Sequence, residues 1–124
     1  MSGLAQPNNF PTFYPAIFDS GTGTSMAGNL TSNWIPVMLG HGYSIEAIWT
    51  GTPNGQFYVE TSNNPGSIGD EIPGSAVVVS GAAGQNMWNI ENPRYRYARL
   101  VWIASSSTGA LGANCFVPVA RDSR

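Results

Sequence analysis

Two side chains that could act as nucleophile or base occur once each, His41 and Cys115. A catalytic histidine needs a nucleophile and an orienting acid, and no Gly-x-Ser-x-Gly or comparable motif is present. His41, between two glycines, is therefore predicted to be a loop or packing residue. Cys115 lies beside Phe116 and Val117 without a nearby cation, which predicts a buried, unreactive thiol.

The acidic pair Asp70 and Glu71 lies in a turn-rich stretch with further oxygen donors, Asn63, Asn64 and Ser67. Such oxygens suit calcium, but their spacing matches no EF-hand loop. The acids also show no arrangement that would place two carboxylates on facing walls of a glycosidase cleft. We therefore expect a solvated loop, no metal, no cofactor and no enzymatic activity.

The basic cluster Arg94, Arg96 and Arg99 alternates with Tyr95 and Tyr97. Arginine next to aromatic residues can stack on single-stranded bases, but the net charge of the chain is −2, which gives no general attraction to phosphate. We expect no nucleic acid partner. The favoured interpretation is ion pairing across a sheet or a subunit boundary with acids such as Glu46, Glu60 or Glu91.

Four tryptophans could form an aromatic platform for a carbohydrate. Trp49 and Trp102 lie in strands of alternating polarity and are predicted to belong to the core. Trp34 and Trp88 lie near loops, and they are the candidate glycan contacts of an alternative function, a carbohydrate-binding or receptor-recognition module.

The secondary structure that positions these residues is predicted to be β-strand. The 15 glycines and 9 prolines in a chain of 124 residues leave few uninterrupted stretches for long helices. Residues 43–50 alternate apolar and polar side chains with period two, and 57–61 resume that alternation after Pro53, Asn54 and Gly55. This pattern predicts a β-hairpin. Residues 94–103 form another strong strand, and 111–119 are expected to pair back on it. The predicted fold is an all-β, antiparallel, jelly-roll-like β-sandwich.

The N-terminal segment is predicted to be an extended arm over residues 1–18, followed by a single sandwich domain over 19–124. Prolines interleave with aromatic residues there, which favours an extended chain lying along either its own sheet or a neighbour. The expected interface residues are Phe10, Phe13, Tyr14, Ile17 and Phe18.

Charged residues make up only 10% of the chain, and all five basic residues are arginine, whereas about 25% is usual. Interfaces deplete charge because each buried ion must be paired. The scarcity predicts that much of the surface faces copies of the same chain or a shell. A membrane span is not expected: the uncharged stretch 100–120 is broken by a Ser/Thr/Gly turn and by Pro118.

Several sequence motifs together resemble small β-sandwich structural proteins of bacteriophages. They are the run Trp49-Thr-Gly-Thr-Pro-Asn-Gly55, the pair Ser62-Asn63 and the later strand Tyr95-Arg-Tyr-Ala-Arg-Leu-Val-Trp102. The resemblance covers about the last 80 residues. It implies a non-enzymatic virion component, such as a capsid decoration, spike or tail-associated subunit, whose partners are copies of itself and other virion proteins. It carries no catalytic residue.

Overall fold

The computed structural model describes residues 11–18, 23–38, 42–65 and 69–118. Within these ranges the chain forms strands and turns and no helix. The strands are β1 (Thr12–Tyr14), β2 (Thr24–Ser25), β3 (Leu30–Thr31), β4 (Ile35–Pro36), β5 (Gly42–Thr50), β6 (Asn54–Ser62), β7 (Asp70–Glu71), β8 (Val77–Ser80), β9 (Gly84–Glu91), β10 (Tyr97–Ala104) and β11 (Ala110–Val117).

Two antiparallel sheets pack face to face. The first sheet has the order β1-β11-β5-β9, with β2 also on β11; the second has the order β3-β10-β6-β7, with β4 also on β10 and β8 also on β6. Three pairs of short strands share a partner: β1 and β2 share β11, β3 and β4 share β10, and β7 and β8 share β6. If each such pair is counted as one strand, the described ranges contain eight strands. In this numbering the first sheet has the order 1-8-3-6 and the second sheet the order 2-7-4-5. This is the strand order of a jelly roll. The predicted fold class is confirmed.

The alternation in the sequence determines which side chains meet between the sheets. Ile45 and Ala47 of β5 face Phe57 and Val59 of β6, and all four are fully buried. Phe57 is the centre of an aromatic cluster, with ring centroids 5.1 Å from Trp49, 5.7 Å from Trp88 and 4.7 Å from Trp102. The core placement predicted for Trp49 and Trp102 is therefore confirmed.

Strands β5 and β6 do not form the predicted hairpin. They are consecutive in the chain but lie in opposite sheets, since β5 pairs with β11 and β9 whereas β6 pairs with β10, β7 and β8. The turn at Gly51, with φ of 87°, therefore carries the chain across the sandwich. The physical reason is burial: both strands have an apolar inner face, and placing them in opposite sheets lets those faces cover one another.

The prediction that the last strand pairs back on its predecessor is wrong for the same reason. β11 pairs with β5 across the sandwich from β10. The turn from β5 to β6 and the turn from β10 to β11 both cross between the sheets, and we call them the crossing turns. They lie side by side: the hydroxyls of Thr52 and Thr108 are 2.8 Å apart, and a Cβ on Gly51 would lie 2.7 Å from the Cα of Gly109.

The predicted boundary at residue 18, between an N-terminal arm and the sandwich domain, is also wrong. β1 pairs with β11 of the same chain, and Ile17 and Phe18 are 2% and 4% exposed within the core of the sandwich. The Ile17 amide donates to the Ala113 carbonyl at 3.1 Å. Residues 11–18 thus belong to the domain, because their apolar side chains complete its core; residues 1–10 lie outside the described ranges.

Candidate functional site

The outer face of the first sheet carries large apolar side chains in the positions where a solvent-facing strand would hold polar ones. Register places these side chains on adjacent strands, opposite the buried face. We call this surface the apolar face; its members are Phe13, Ile48, Met87 and Phe116, which are 57%, 46%, 48% and 40% exposed. Clustered exposed apolar groups are typical of an interaction surface.

Charge on the apolar face is small, and one of its carboxylates accepts a hydrogen bond from an amide. Glu46 lies between Asn114 and Met87 in the register, and Asn114 donates its side-chain amide to Oε1 of Glu46 at 3.2 Å. Glu91 stands at the end of β9. Among the residues that the structure describes, no arginine lies on this face, so its electrostatics are weak and acidic.

Two grooves shape the apolar face. One, of about 360 Å³, runs over Ala110 and Gly112 beside Ile48 and Pro15. The other, of about 680 Å³, lies beside Phe116 and is lined by Ser44 and Asn89 among others. The small residues of β11 leave the first groove open, so that a side chain from another molecule can pack next to Ile48.

The outer face of the second sheet has a different character. The guanidinium of Arg99 lies over the indole of Trp34, with Cζ 4.2 Å from the ring centroid, and Nε of Arg99 donates to Oε1 of Glu60 at 2.6 Å. Tyr58 and Tyr97 lie on the same side of the sheet, since they alternate with buried neighbours. We call these five residues the Trp34 face. It is polar, aromatic and held by an ion pair.

Burial and then the nearby carboxylates of Glu60 and Glu71 raise the pKa of Tyr58, which Arg99 partly offsets. Its phenol, protonated at neutral pH like that of any tyrosine, can donate a hydrogen bond. The ion pair of Arg99 with Glu60 confirms the expected pairing with a sheet acid for one of the three arginines, Arg99. Arg96 also stacks, with Cζ 5.3 Å from the ring centroid of Tyr97.

The two tryptophans selected as glycan contacts have different environments. Trp34 is partly exposed on the outer surface. Trp88 is 6% exposed, and its indole N–H donates to the Ser75 carbonyl at 2.7 Å. Trp88 is therefore corrected to a core residue: β9 turns its ring inward against Phe57, where no sugar can stack on it.

The five predicted interface residues do not share one environment. Phe13 belongs to the apolar face, while Tyr14 is half-buried on the inner side of β1. Ile17 and Phe18 are corrected to core residues, because they pack inside their own sandwich. Phe10 lies outside the described residues, as does His41.

Cys115 is buried on the inner side of β11, as expected, and burial raises the pKa of its thiol to about 12. Asp70 and Glu71 form the short strand β7. Across the described ranges, no group of three or more His, Cys, Asp or Glu side chains is placed to hold a metal ion. Those ranges also contain no helix long and apolar enough to cross a membrane.

Sequence reasoning missed Ile48, Met87 and Phe116 as surface residues. The signal was available for Ile48, which stands in the polar half of the alternation in β5, with Ser44, Glu46 and Thr50. A large apolar residue at a position of the solvent-facing register indicates a covered surface. For Met87 and Phe116 the outer side could be assigned only after the register was known.

Comparison with known proteins gives similarity of fold. No family model matches the chain, and no curated protein matches it in sequence. Among solved structures, the SPBc2 prophage-derived protein YomS is similar over 86% of this chain and 92% of its own, with 7% identity and a TM-score of 0.51. The K3 adhesin domain of Lys-gingipain from Porphyromonas gingivalis has 10% identity and a TM-score of 0.50, over 72% of this chain and 63% of that one.

The C-terminal CBM6 module of LamC, a laminarinase of Zobellia galactanivorans, is similar over 86% of this chain and 98% of its own, with 9% identity and a TM-score of 0.49. This chain spans less than two thirds of the gingipain domain. At these identities the likeness is one of fold, a β-sandwich.

Proposed function

We propose that this protein is a non-enzymatic structural subunit of a bacteriophage virion, which assembles by packing its apolar face against copies of itself and other virion proteins. The single observation that carries the proposal is the exposure of four large apolar side chains on one outer face, namely Phe13, Ile48, Met87 and Phe116. Exposing apolar surface to water costs a free energy of about 25 cal/mol per Å². Packing these side chains against a neighbouring subunit recovers that free energy.

The low charge of the chain supports the same proposal. Seven acids and five arginines in 124 residues leave little charge to desolvate when a large surface becomes an interface. The assignment to the virion rests on the resemblance of the strand motifs to phage structural proteins.

The test is the molar mass of the full chain, measured by analytical ultracentrifugation over a range of concentrations. We expect association for the natural sequence and a shift toward the 13.1 kDa monomer for the double variant Ile48→Ser, Phe116→Ser. The matched control is Val78→Ser, because Val78 is 71% exposed but lies on the other sheet.

A natural chain that stays monomeric at every concentration would overturn the proposal, and so would equal effects of the control and the double variant. Mass spectrometry of purified phage particles tests the virion location separately. The chain should be recovered in a fixed ratio to the major capsid protein; recovery only from the lysate contradicts that location.

We propose carbohydrate recognition as a second candidate function, located at the Trp34 face. The observation that favours it is the partly exposed indole of Trp34, which lies on the same outer face as Tyr58 and Tyr97. Arg99 covers one face of this ring, so a sugar stacks on the other. Sugars bind by stacking on such rings and by hydrogen bonds to nearby polar groups. On a bacterial glycan array, Trp34→Ala should abolish binding and Phe116→Ala, on the opposite face, should preserve it. Absence of binding by the natural chain removes this candidate.

A further inference from the structure

The free edge of the first sheet is an eight-residue strand. β9 (Gly84–Glu91) is the last strand in the order of that sheet, and it pairs with β5 along its whole length in one unbroken register. In the part of the chain that the structure describes, no strand pairs with its other side. Such an edge presents a row of unpaired backbone amides and carbonyls.

The other sheet edges are short or protected. At the opposite edge of the first sheet, β1 has three residues and stands between Pro11 and Pro15. The edges of the second sheet are β3 and β4, with two residues each, the acidic two-residue strand β7, and the four-residue strand β8. Short length, proline and charge are the usual means of blocking strand addition. β9 has no proline, lysine or arginine, and its single charge, Glu91, stands at its end.

The contact between Gly42 and Ile90 shows which backbone N–H and C=O groups of β9 face β5 and which face the free edge. A Cβ on Gly42 would collide with the carbonyl oxygen of Ile90, so that this carbonyl is turned toward β5. In an antiparallel ladder, alternate residues direct both backbone groups to the same side. Gln85, Met87 and Asn89 therefore direct their N–H and C=O groups to the free edge.

We propose that β9 pairs antiparallel with β9 of a second copy of this chain, which joins the two first sheets into one continuous sheet. This inference rests on the proposed function and identifies its first interface. A strand edge can pair with itself about a two-fold axis without any other complementary surface.

The charges and the side-chain types of β9 favour a second copy of this chain as the partner of its free edge. A two-fold axis at Met87 sets Gln85 opposite Asn89 of the second copy, so that two amide side chains meet on the outer face. Glu91 then meets the uncharged Ala83, and the two Glu91 carboxylates lie at opposite ends of the ladder. The apolar face becomes continuous across the dimer, because Met87 of each copy meets its equivalent.

Asn89→Pro tests the edge directly. Proline removes one outward N–H, and it is tolerated on an edge strand whose N–H faces solvent. We expect the dissociation constant of the assembly to rise at least ~10-fold, whereas Asn89→Ala, which keeps the N–H, should stay within about twofold. Thermal unfolding of both variants establishes that they fold.

Hydrogen exchange on the natural chain provides a second measurement that needs no variant. The amides of Met87 and Asn89 should be protected at high protein concentration and exchange fast on dilution to the monomer. If the chain associates but these two amides stay unprotected, or Asn89→Pro associates as tightly as Asn89→Ala, the edge pairing is wrong while the proposed function stands. A chain that never associates overturns both.

Discussion

Arg99 lies over the indole ring of Trp34, with Cζ 4.2 Å from the ring centroid, and this stacking links the loop between β3 and β4 to β10. The same guanidinium pairs with Glu60 on the neighbouring strand β6. A cation that is held by a carboxylate and covers an aromatic ring limits the motion of both partners. We therefore expect the side chains of Trp34 and Arg99 to keep one arrangement in solution.

Removing the carboxylate should weaken this arrangement measurably. Glu60→Gln leaves Arg99, whose side chain is 19% exposed, without its ionic partner, and we expect the free energy of unfolding to fall by about 1–2 kcal/mol. Urea denaturation at pH 7 measures this. The control is Glu71→Gln, an exposed acid opposite Glu60, which should change stability by less than about 0.5 kcal/mol. Equal losses would contradict the prediction.

The buried thiol of Cys115 predicts a pH dependence of stability. Its pKa is raised to about 12 in the folded chain, whereas an unfolded cysteine titrates near ~8.5. The stabilisation is complete below the unfolded pKa and is lost as pH rises toward the folded pKa, because only the unfolded chain releases the proton. Between roughly pH 8.5 and 10 the free energy of unfolding should fall by up to about 1.4 kcal/mol per pH unit.

Urea titrations at several pH values measure that slope, and Cys115→Ala is the control. The variant has no thiol to ionise, so its unfolding free energy should be flatter over the same interval. Tyr43 also has a raised pKa, mainly from burial, but tyrosine begins to titrate near ~10 in the unfolded chain. Identical slopes for the two proteins would show that the thiol does not contribute.

The paired crossing turns should be sensitive to a single added methyl group. Gly109 has φ of 134°, and a Cβ there would collide with the carbonyl oxygen of Thr50. We expect Gly109→Ala to lower the free energy of unfolding by about 2–4 kcal/mol. Gly28→Ala, in open space without a positive φ, should stay within about 0.5 kcal/mol. Thermal unfolding compares them, and a Gly109→Ala protein as stable as the control would refute this role.

Truncation separates the part of the N-terminal segment that completes the fold from the part proposed to dock. Deleting residues 1–18 removes β1 together with Ile17 and Phe18. It should cost at least about 3 kcal/mol, because each buried apolar side chain contributes about 1.5–3 kcal/mol. Deleting residues 1–10 removes none of the described contacts and should leave a folded chain, with weaker association if Phe10 docks on a neighbour. Circular dichroism and ultracentrifugation measure the two effects, and unchanged association after the shorter deletion would contradict docking by residues 1–10.

The inner face of β5 was predictable from the sequence. In β5 the alternation of Tyr43, Ile45, Ala47 and Trp49 with polar residues is a local property of the chain, because successive side chains of a strand point to opposite sides. The same reasoning correctly placed Trp102 in the interior. Cys115 was expected there because it lies beside Phe116 and Val117 without a nearby cation. The all-β class followed equally from local signals, namely short alternating runs separated by glycine and proline.

Strand partners and surface chemistry were decided by the tertiary structure. The residues Pro53 to Gly55 favour a turn, but a turn does not specify whether the chain pairs with itself or crosses to the opposite sheet. That choice depends on which apolar faces cover one another across the whole domain. For the same reason Trp34 and Trp88, equivalent in the sequence as aromatic residues near loops, became one surface residue and one core residue. Only register separates them, and register is a relationship between distant parts of the chain.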